Sequence, residues 1–391
     1  MKRTTVAVAL SLMLLVGGTA IGATLRSLKT TPASVSTSVP VGPVGAPAAS
    51  QSRTEILGYT LDTLKTVKTS PLVIETRRLT PKEFTTDVNI VKWQGENIVI
   101  AVPNYNPRSE EGLVAARYNR ITLIDGRGIV AQYETKGQDV TYVTLLPDRM
   151  VLKVRTGIAE MDYDGKFLWG MNVDGISHSV QPLDNGNFLI LRADYDQALE
   201  ITRTGEIVWE WNALESILPY SDDTFVAWGG KTEKSANIFS DTFYDTGKKI
   251  LWTHINHIQK LDDGYLLSLR NQNLVVKVGF DKKVQWTFGS LLVKWQHAPL
   301  QLSNGNLLVY DNGNGRVVEF TRLGEVVWEY PIYSAVWGNV WKLDNGNYVF
   351  PSCFEGLVYE VSPKGEVVKL VEMGKMPVIS VYPSRVLEWL K

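Results

Sequence analysis

One cysteine, Cys353, and four histidines are all the thiol and imidazole chemistry that 391 residues carry. A single thiol excludes an internal disulfide and any Cys-based metal centre. Charge of either sign is not in excess, 40 Lys and Arg standing against 41 Asp and Glu for a net charge of −1, so nothing points to nucleic acid as a partner. No helical period is sustained anywhere in the body of the chain.

What is present is strand material. Hydrophobic residues make up 44% of the chain, with 12 Trp, 16 Tyr and 32 Gly, and short Val/Ile/Leu runs alternate with turn signals. That composition predicts an all-β protein with ample length for a large core.

The N-terminus reads differently. Lys2 and Arg3 precede an apolar run from Val6 to Ala23 with small residues at Ala20, Gly22 and Ala23, the pattern of a secretory signal or, by its length, of an uncleaved membrane anchor. Thr30 to Ser52 is rich in Pro, Ser, Thr, Val, Gly and Ala and reads as a tether. The expected organisation is a signal peptide or anchor over 1–25, a linker over 26–52, a short β segment over 53–87 and the main body over 88–391. Both readings place the body outside the cytoplasm: secreted, periplasmic or anchored to the outer face of the cell membrane.

The body repeats with a period of about 40 residues. The clearest copies start at His178, His297 and Asn339, the first reading HSVQPLDNGNFLILRADYDQALEITRTGEIVWEW. Each has a front turn of the Asp/Ser-Asn-Gly-Asn type and a rear turn before its last strand. Front turns recur at Gly186, Gly264, Gly305 and Gly346, with degenerate copies at Arg149 and Asp223 and a weak first one near Glu96. Rear turns recur at Gly128, Gly165, Gly205, Gly247, Lys282, Gly324 and Gly365, and Trp169, Trp209, Trp286 and Trp328 each lie four residues beyond theirs. Seven four-stranded units by count describe a β-propeller of six or seven blades, with the tryptophans as packing between blades.

In a propeller the first strand of every unit lines the central channel, so equivalent positions form a ring. Eight residues before the front-turn glycines stand His178, Asn256, His297 and Gly338; six residues after them stand Arg192, Arg270, Asp311 and Ser352. Hairpin pairing then sets His178 against Arg192, Asn256 against Arg270 and His297 against Asp311. His254 joins the cluster from two residues before Asn256, whereas His257 points to the other side of its strand and is expected to pack or hydrogen-bond between blades. Such donors suit a tetrahedral oxyanion, and one imidazole could serve as a nucleophile. A metal held by three histidines is the competing reading, disfavoured by Arg270, which would repel a cation, and by the want of any carboxylate in register other than Asp311. Solvated polar loops at a channel mouth are the plain structural alternative.

At these residues the sequence resembles the arylsulfotransferase family of secreted propeller enzymes. The segments SHSVQPLDNGNFLIL, WTHINHIQKLDDGYLLSLRNQN, WQHAPLQLSNGNLLVYDNG and the recurrent R-x-G-E-V-V-W-E-Y strands carry the likeness, in the family's order. The resemblance implies a six-bladed catalytic domain without a cofactor. It implies transfer of a sulfuryl group from a phenolic sulfate donor to a phenolic acceptor by a ping-pong route. His297 would be the nucleophile, transiently sulfated; His178, His254, Asn256 and Arg270 would hold the sulfuryl oxygens, one of the two histidines handling the phenol proton. Arg192, Asp311 and Asn312 are the expected substrate-side neighbours. The bacterial members carry a separate N-terminal β-domain and a disulfide near the site; Ser52 to Phe84 is too short for the first, and one cysteine cannot make the second. Two rivals of other classes remain: a non-catalytic extracellular propeller that binds a ligand or partner, and a quinone-dependent dehydrogenase, which would need a Ca²⁺ site of carboxylates and amides.

Overall fold

The computed structural model describes residues 64–84, 88–95, 98–103, 119–217, 253–289, 292–333, 338–353, 355–374, 378 and 380–385. These residues form six antiparallel sheets of four or five strands each, the six-bladed form of the expected propeller. In chain order, blade 2 is built on Val140–Leu145, Met150–Val154, Gly157–Met161 and Phe167–Val173, blade 3 on Ser177–Pro182, Phe188–Arg192, Gln197–Ile201 and Ile207–Asn212, and blade 4 on Ile255–Leu261, Gly264–Leu269, Leu274–Gly279 and Val284–Gly289. Blade 5 comprises His297–Gln301, Leu307–Asp311, Arg316–Phe320 and Val326–Pro331, and blade 6 Trp341–Lys342, Tyr348–Ser352, Leu357–Val361 and Val367–Glu372.

Blade 1 is assembled from distant segments. Its innermost strand is Tyr382–Arg385, paired with Ile98–Pro103, followed outward by Arg120–Asp125, Gly128–Lys136 and Glu75–Arg78. The strand expected to open the first unit, Asn89–Trp93, instead pairs with Val367–Glu372 as the outer edge of blade 6, and Thr69–Pro71 caps blade 2. The ring is thus interlocked by its own chain, which removes the open seam that a circular array of sheets would otherwise carry.

The count of seven resolves to six between blades 3 and 4. The unit expected around Asp223 and Gly247 falls on residues outside those described. Its neighbours pack directly on one another: Trp209 of blade 3 lies 4.0 Å from the Tyr265 ring of blade 4, and Asp196 Oδ1 accepts a hydrogen bond from the Thr253 N–H at 2.8 Å. Blades 3 and 4 are therefore direct neighbours in the ring. The signal or anchor at 1–25 and the linker at 26–52 also lie outside the described residues. Among the described residues no helix is long and apolar enough to cross a membrane.

The core is a set of six clusters, one at each blade interface; that between blades 3 and 4 joins Leu189, Ala198 and Trp211 to Ile258, Tyr265 and Leu267. The tryptophan register performs the packing it predicts. Trp169 stacks on Phe188 at 5.4 Å and Trp328 on Tyr348 at 3.7 Å, each reaching the next blade. Opposite these tryptophans across the ladder stand Glu160, Glu200 and Glu319, all buried. The front-turn asparagines satisfy two of them: Asn187 Nδ2 donates to Glu200 at 2.8 Å and Asn306 Nδ2 to Glu319 at 2.7 Å, with a tyrosine hydroxyl of the following blade, Tyr265 or Tyr348, completing each carboxylate. The Asn-Gly-Asn signature is therefore a device of blade packing as well as a turn. It sits at the mouth opposite the histidines.

Candidate active site

His178 lies near the start of the inner strand of blade 3, His254 immediately before that of blade 4, and His297 at the start of that of blade 5. Their rings meet across the channel: the His178 ring centroid is 4.8 Å from that of His254 and 6.4 Å from that of His297. His297 is 2% exposed and His178 9%, while His254 is partly buried.

The pairing at the mouth departs from simple hairpin counting by one or two residues, for a common reason. Each of the three inner strands breaks register just where its polar residue stands: between Ser177 and Val180, between Ile255 and His257, and between His297 and Leu300. His297 accordingly faces Tyr310 rather than Asp311, and Leu269, not Arg270, is the ladder partner at the head of blade 4. A bulge turns a side chain out of the alternating pattern. The backbone shows this as positive φ at His178 (55°), His254 (47°), Trp295 (49°) and Ala298 (43°). Left-handed backbone at a residue with a side chain costs about 1–3 kcal/mol and gathers at functional sites; four such residues around one mouth mark it as a built one.

The tautomer of His297 follows from its neighbours. Its Nδ1 lies 2.9 Å from Asn312 Oδ1 and 3.1 Å from the Trp295 carbonyl. Both are acceptors, so Nδ1 bears the hydrogen and Nε2 the lone pair. Nε2 is buried and makes no hydrogen bond. Burial first, and the Arg270 guanidinium next, push this imidazole down to about 3, which keeps Nε2 unprotonated at neutral pH. His178 and His254 are likewise held well below their ordinary value, by burial and then by the neighbouring imidazoles and Arg270.

Arg270 is 8% exposed, with its guanidinium carbon 5.6 Å from the centre of the Trp295 ring and Nη1 donating to Asn271 Oδ1 at 3.0 Å. Asn256 is fully buried and donates through Nδ2 to the Gln296 carbonyl at 2.9 Å. It thereby ties blade 4 to the residue before His297, while its Oδ1 has no partner. Asn312 is the orienting partner of His297.

The other two expected neighbours are engaged elsewhere. Arg192 donates to the Asp174 carbonyl, to Asp174 Oδ2 and to Gln197 Oε1 and lies over Tyr195, so it braces the end of blade 3. Asp311 accepts from the Lys294 N–H, Asn314 and Arg316 and shapes the loop that carries Trp295. His257, expected to pack or hydrogen-bond between blades, makes no hydrogen bond through either nitrogen, and burial takes it down to about 4. Among the described residues no three His, Cys, Asp or Glu side chains are arranged to hold a metal ion.

Two residues escape the counting. Gln296 crosses to blade 4, donating to Ser268 Oγ and to the Leu269 and Leu274 carbonyls; only its place directly before His297 hints at this. Lys153, in blade 2, has an ammonium close enough to help disfavour protonation of His178. The front turn of blade 2 has no glycine, so its register is blurred; the visible signal is one lysine in the apolar strand Met-Val-Leu-Lys-Val.

Residues 117–295 match the sequence model of the arylsulfotransferase (ASST) family. That stretch holds His178, His254, Asn256 and Arg270 and stops two residues short of His297. Arylsulfate sulfotransferase AssT of Lelliottia amnigena is 26% identical over a match covering 32% of this chain and 29% of that protein, so the match spans less than a third of the relative's length. Among solved structures, a protein of unknown function from Bacteroides caccae is similar with a TM-score of 0.52 and 17% identity, covering 74% of this chain and all of that one. That likeness supports the fold. A virginiamycin B lyase from Staphylococcus aureus is 12% identical over 73% of this chain and 88% of its own, with a TM-score of 0.43.

Proposed function

We propose that this protein is an aryl sulfotransferase working through a sulfo-histidine at His297. The observation that carries the reading is the unpartnered, unprotonated Nε2 of His297, fixed by Asn312 and the Trp295 carbonyl and surrounded by His178, His254 and Arg270. The similarity of residues 117–295 to arylsulfotransferases supports the chemistry.

A phenolic sulfate ester is an anion with a planar aromatic leaving group. Its three terminal oxygens suit the guanidinium of Arg270 and the N–H groups of His178 and His254, which are worth most in a site without water. Nε2 of His297 attacks sulfur, the N–S bond forms, and the S–O bond to the phenol breaks. The Nδ1–H that stays on Asn312 and the Trp295 carbonyl then stabilises the charged sulfo-imidazole. An acceptor phenol takes the group from nitrogen and frees Nε2. Secretion or anchoring by residues 1–25 belongs to the same proposal and rests on the sequence.

The test is intact-mass analysis after rapid quenching of the protein with excess p-nitrophenyl sulfate. The expected result is a gain of one sulfuryl group, discharged by added phenol and absent from a folded His297→Asn variant. Neither adduct nor nitrophenol release from any of several aryl sulfates would leave the imidazoles as an anion-binding patch on a non-catalytic propeller.

A further inference from the structure

Lys153 has no part in the scheme above, and its setting is unusual. It lies in Met150–Val154, a strand buried along its whole length, and is itself 6% exposed. Alternation along that strand places Val151 in the core between blades 2 and 3, and Leu152 and Val154 in the core between blades 1 and 2. Lys153 therefore faces blade 3, whose inner strand begins at Ser177 and His178.

Among the described residues the other buried lysines are paired. Lys277 reaches Asp263 at 2.6 Å, and Lys369 reaches Glu360. The Lys153 ammonium forms no ion pair or hydrogen bond with a described residue. Asp139, at the end of the adjoining strand, acts on it only through space, and Tyr142 is its ladder partner. An ammonium so enclosed is destabilising where a methionine would not be.

We infer that Lys153 is a catalytic residue of the transfer proposed above, exchanging a proton with the bridging phenol oxygen. The inference rests on that reading of the site. In the first half-reaction the ammonium gives its proton to the departing phenolate as the S–O bond breaks and the N–S bond to His297 forms, leaving a neutral amine and a phenol. In the second, the amine takes the proton of the acceptor phenol, whose oxygen attacks sulfur as the N–S bond breaks, and the ammonium is restored.

Two observations favour the amine over the imidazoles. Burial takes Lys153 down to about 8, between neutral pH and the ordinary phenol value of about 10, which is where a proton carrier is most effective. His178 and His254 are held well below 6.5, so they are neutral hydrogen-bond donors rather than proton stores.

The experiment compares wild type with Lys153→Met on aryl sulfates whose leaving phenols range from p-nitrophenol to unsubstituted phenol. Nitrophenolate leaves without help, so the variant should lose about tenfold or less with that donor and about 1,000-fold with phenyl sulfate, within the span of general acid–base effects. Its Tm should match or exceed that of wild type, because an enclosed charge has gone. Lys153→Arg, which keeps the charge but holds its proton too tightly to act as a base, should form the sulfo-His297 adduct and discharge it slowly to phenol. A loss equal across all leaving groups, or no loss, would overturn the assignment. If wild type itself forms no adduct at His297, the reading of the whole site falls, and this inference with it.

Discussion

His297 and Asn312 stand 2.9 Å apart, Nδ1 to Oδ1, and this contact, with the Trp295 carbonyl at 3.1 Å, leaves Nε2 as the nitrogen with a lone pair. Asn312→Ala removes the orienting acceptor and leaves only the Trp295 carbonyl to hold the tautomer. Turnover with an aryl sulfate should fall about 10–100-fold, equivalent to about 1.4–2.7 kcal/mol of barrier, with KM little changed. His297→Asn should abolish transfer altogether. Equal turnover in Asn312→Ala and wild type would show that the tautomer is set elsewhere.

Arg270 bears on the imidazoles and, under the proposed mechanism, would meet the charge of the substrate as well. Arg270→Gln should raise KM for aryl sulfates more than tenfold, as expected for loss of a charge-assisted contact. It should also raise the pKa of His297, because the guanidinium is the second cause of its depression after burial. Imidazole titration by NMR measures the second effect independently of turnover; an unmoved His297 would place the Arg270 charge away from the nucleophile.

Acid should unfold this protein through its histidines. All four are held below 6.5, His297 to about 3 and His257 to about 4. The unfolded chain therefore takes up protons near pH 6.5 while the folded chain does not. The unfolded state binds more protons in that window, so stability falls as pH falls, each histidine contributing up to about 1.4 kcal/mol per pH unit. Urea midpoints measured from pH 7 to pH 4 should drop steeply, and sulfate should flatten the drop by favouring imidazolium. A flat profile would mean that the imidazoles are hydrated.

The opposite mouth should respond in stability alone. Glu319 takes hydrogen bonds from Asn306 and Tyr348 and an ion pair from Lys342. Asn306→Leu leaves that buried carboxylate one donor short and should cost about 1–3 kcal/mol, read by urea unfolding, with kcat and KM retained.

Arg192 gives the matching control at the near mouth. Its donors end on Asp174 and Gln197, so Arg192→Met should lower Tm while KM for the sulfate donor stays as it is. A rise in KM without loss of stability would return Arg192 to the substrate.

The amino-acid sequence by itself determined the class of fold and the arrangement of its parts. The Asn-Gly-Asn turns and the tryptophans four residues past each rear turn recur because each blade solves one packing problem, and a repeated solution shows as a repeated pattern. The same periodicity pointed to the inner-strand histidines, since equivalent positions in a closed ring must converge. Three things were decided only in the tertiary structure. Ring closure borrows Tyr382–Arg385 for blade 1 and gives Asn89–Trp93 to blade 6, because pairing between distant strands leaves no local trace. The bulges at His178, Asn256 and Ala298 shift the pairings at the mouth by one or two residues, and counting from the turn does not register them. The division of labour among polar residues was set the same way, Arg192 and Asp311 bracing loops while Asn312 holds His297. A side chain's role depends on which partner its atoms reach, and in a propeller most of those partners stand on the neighbouring blade, about 40 residues away along the chain.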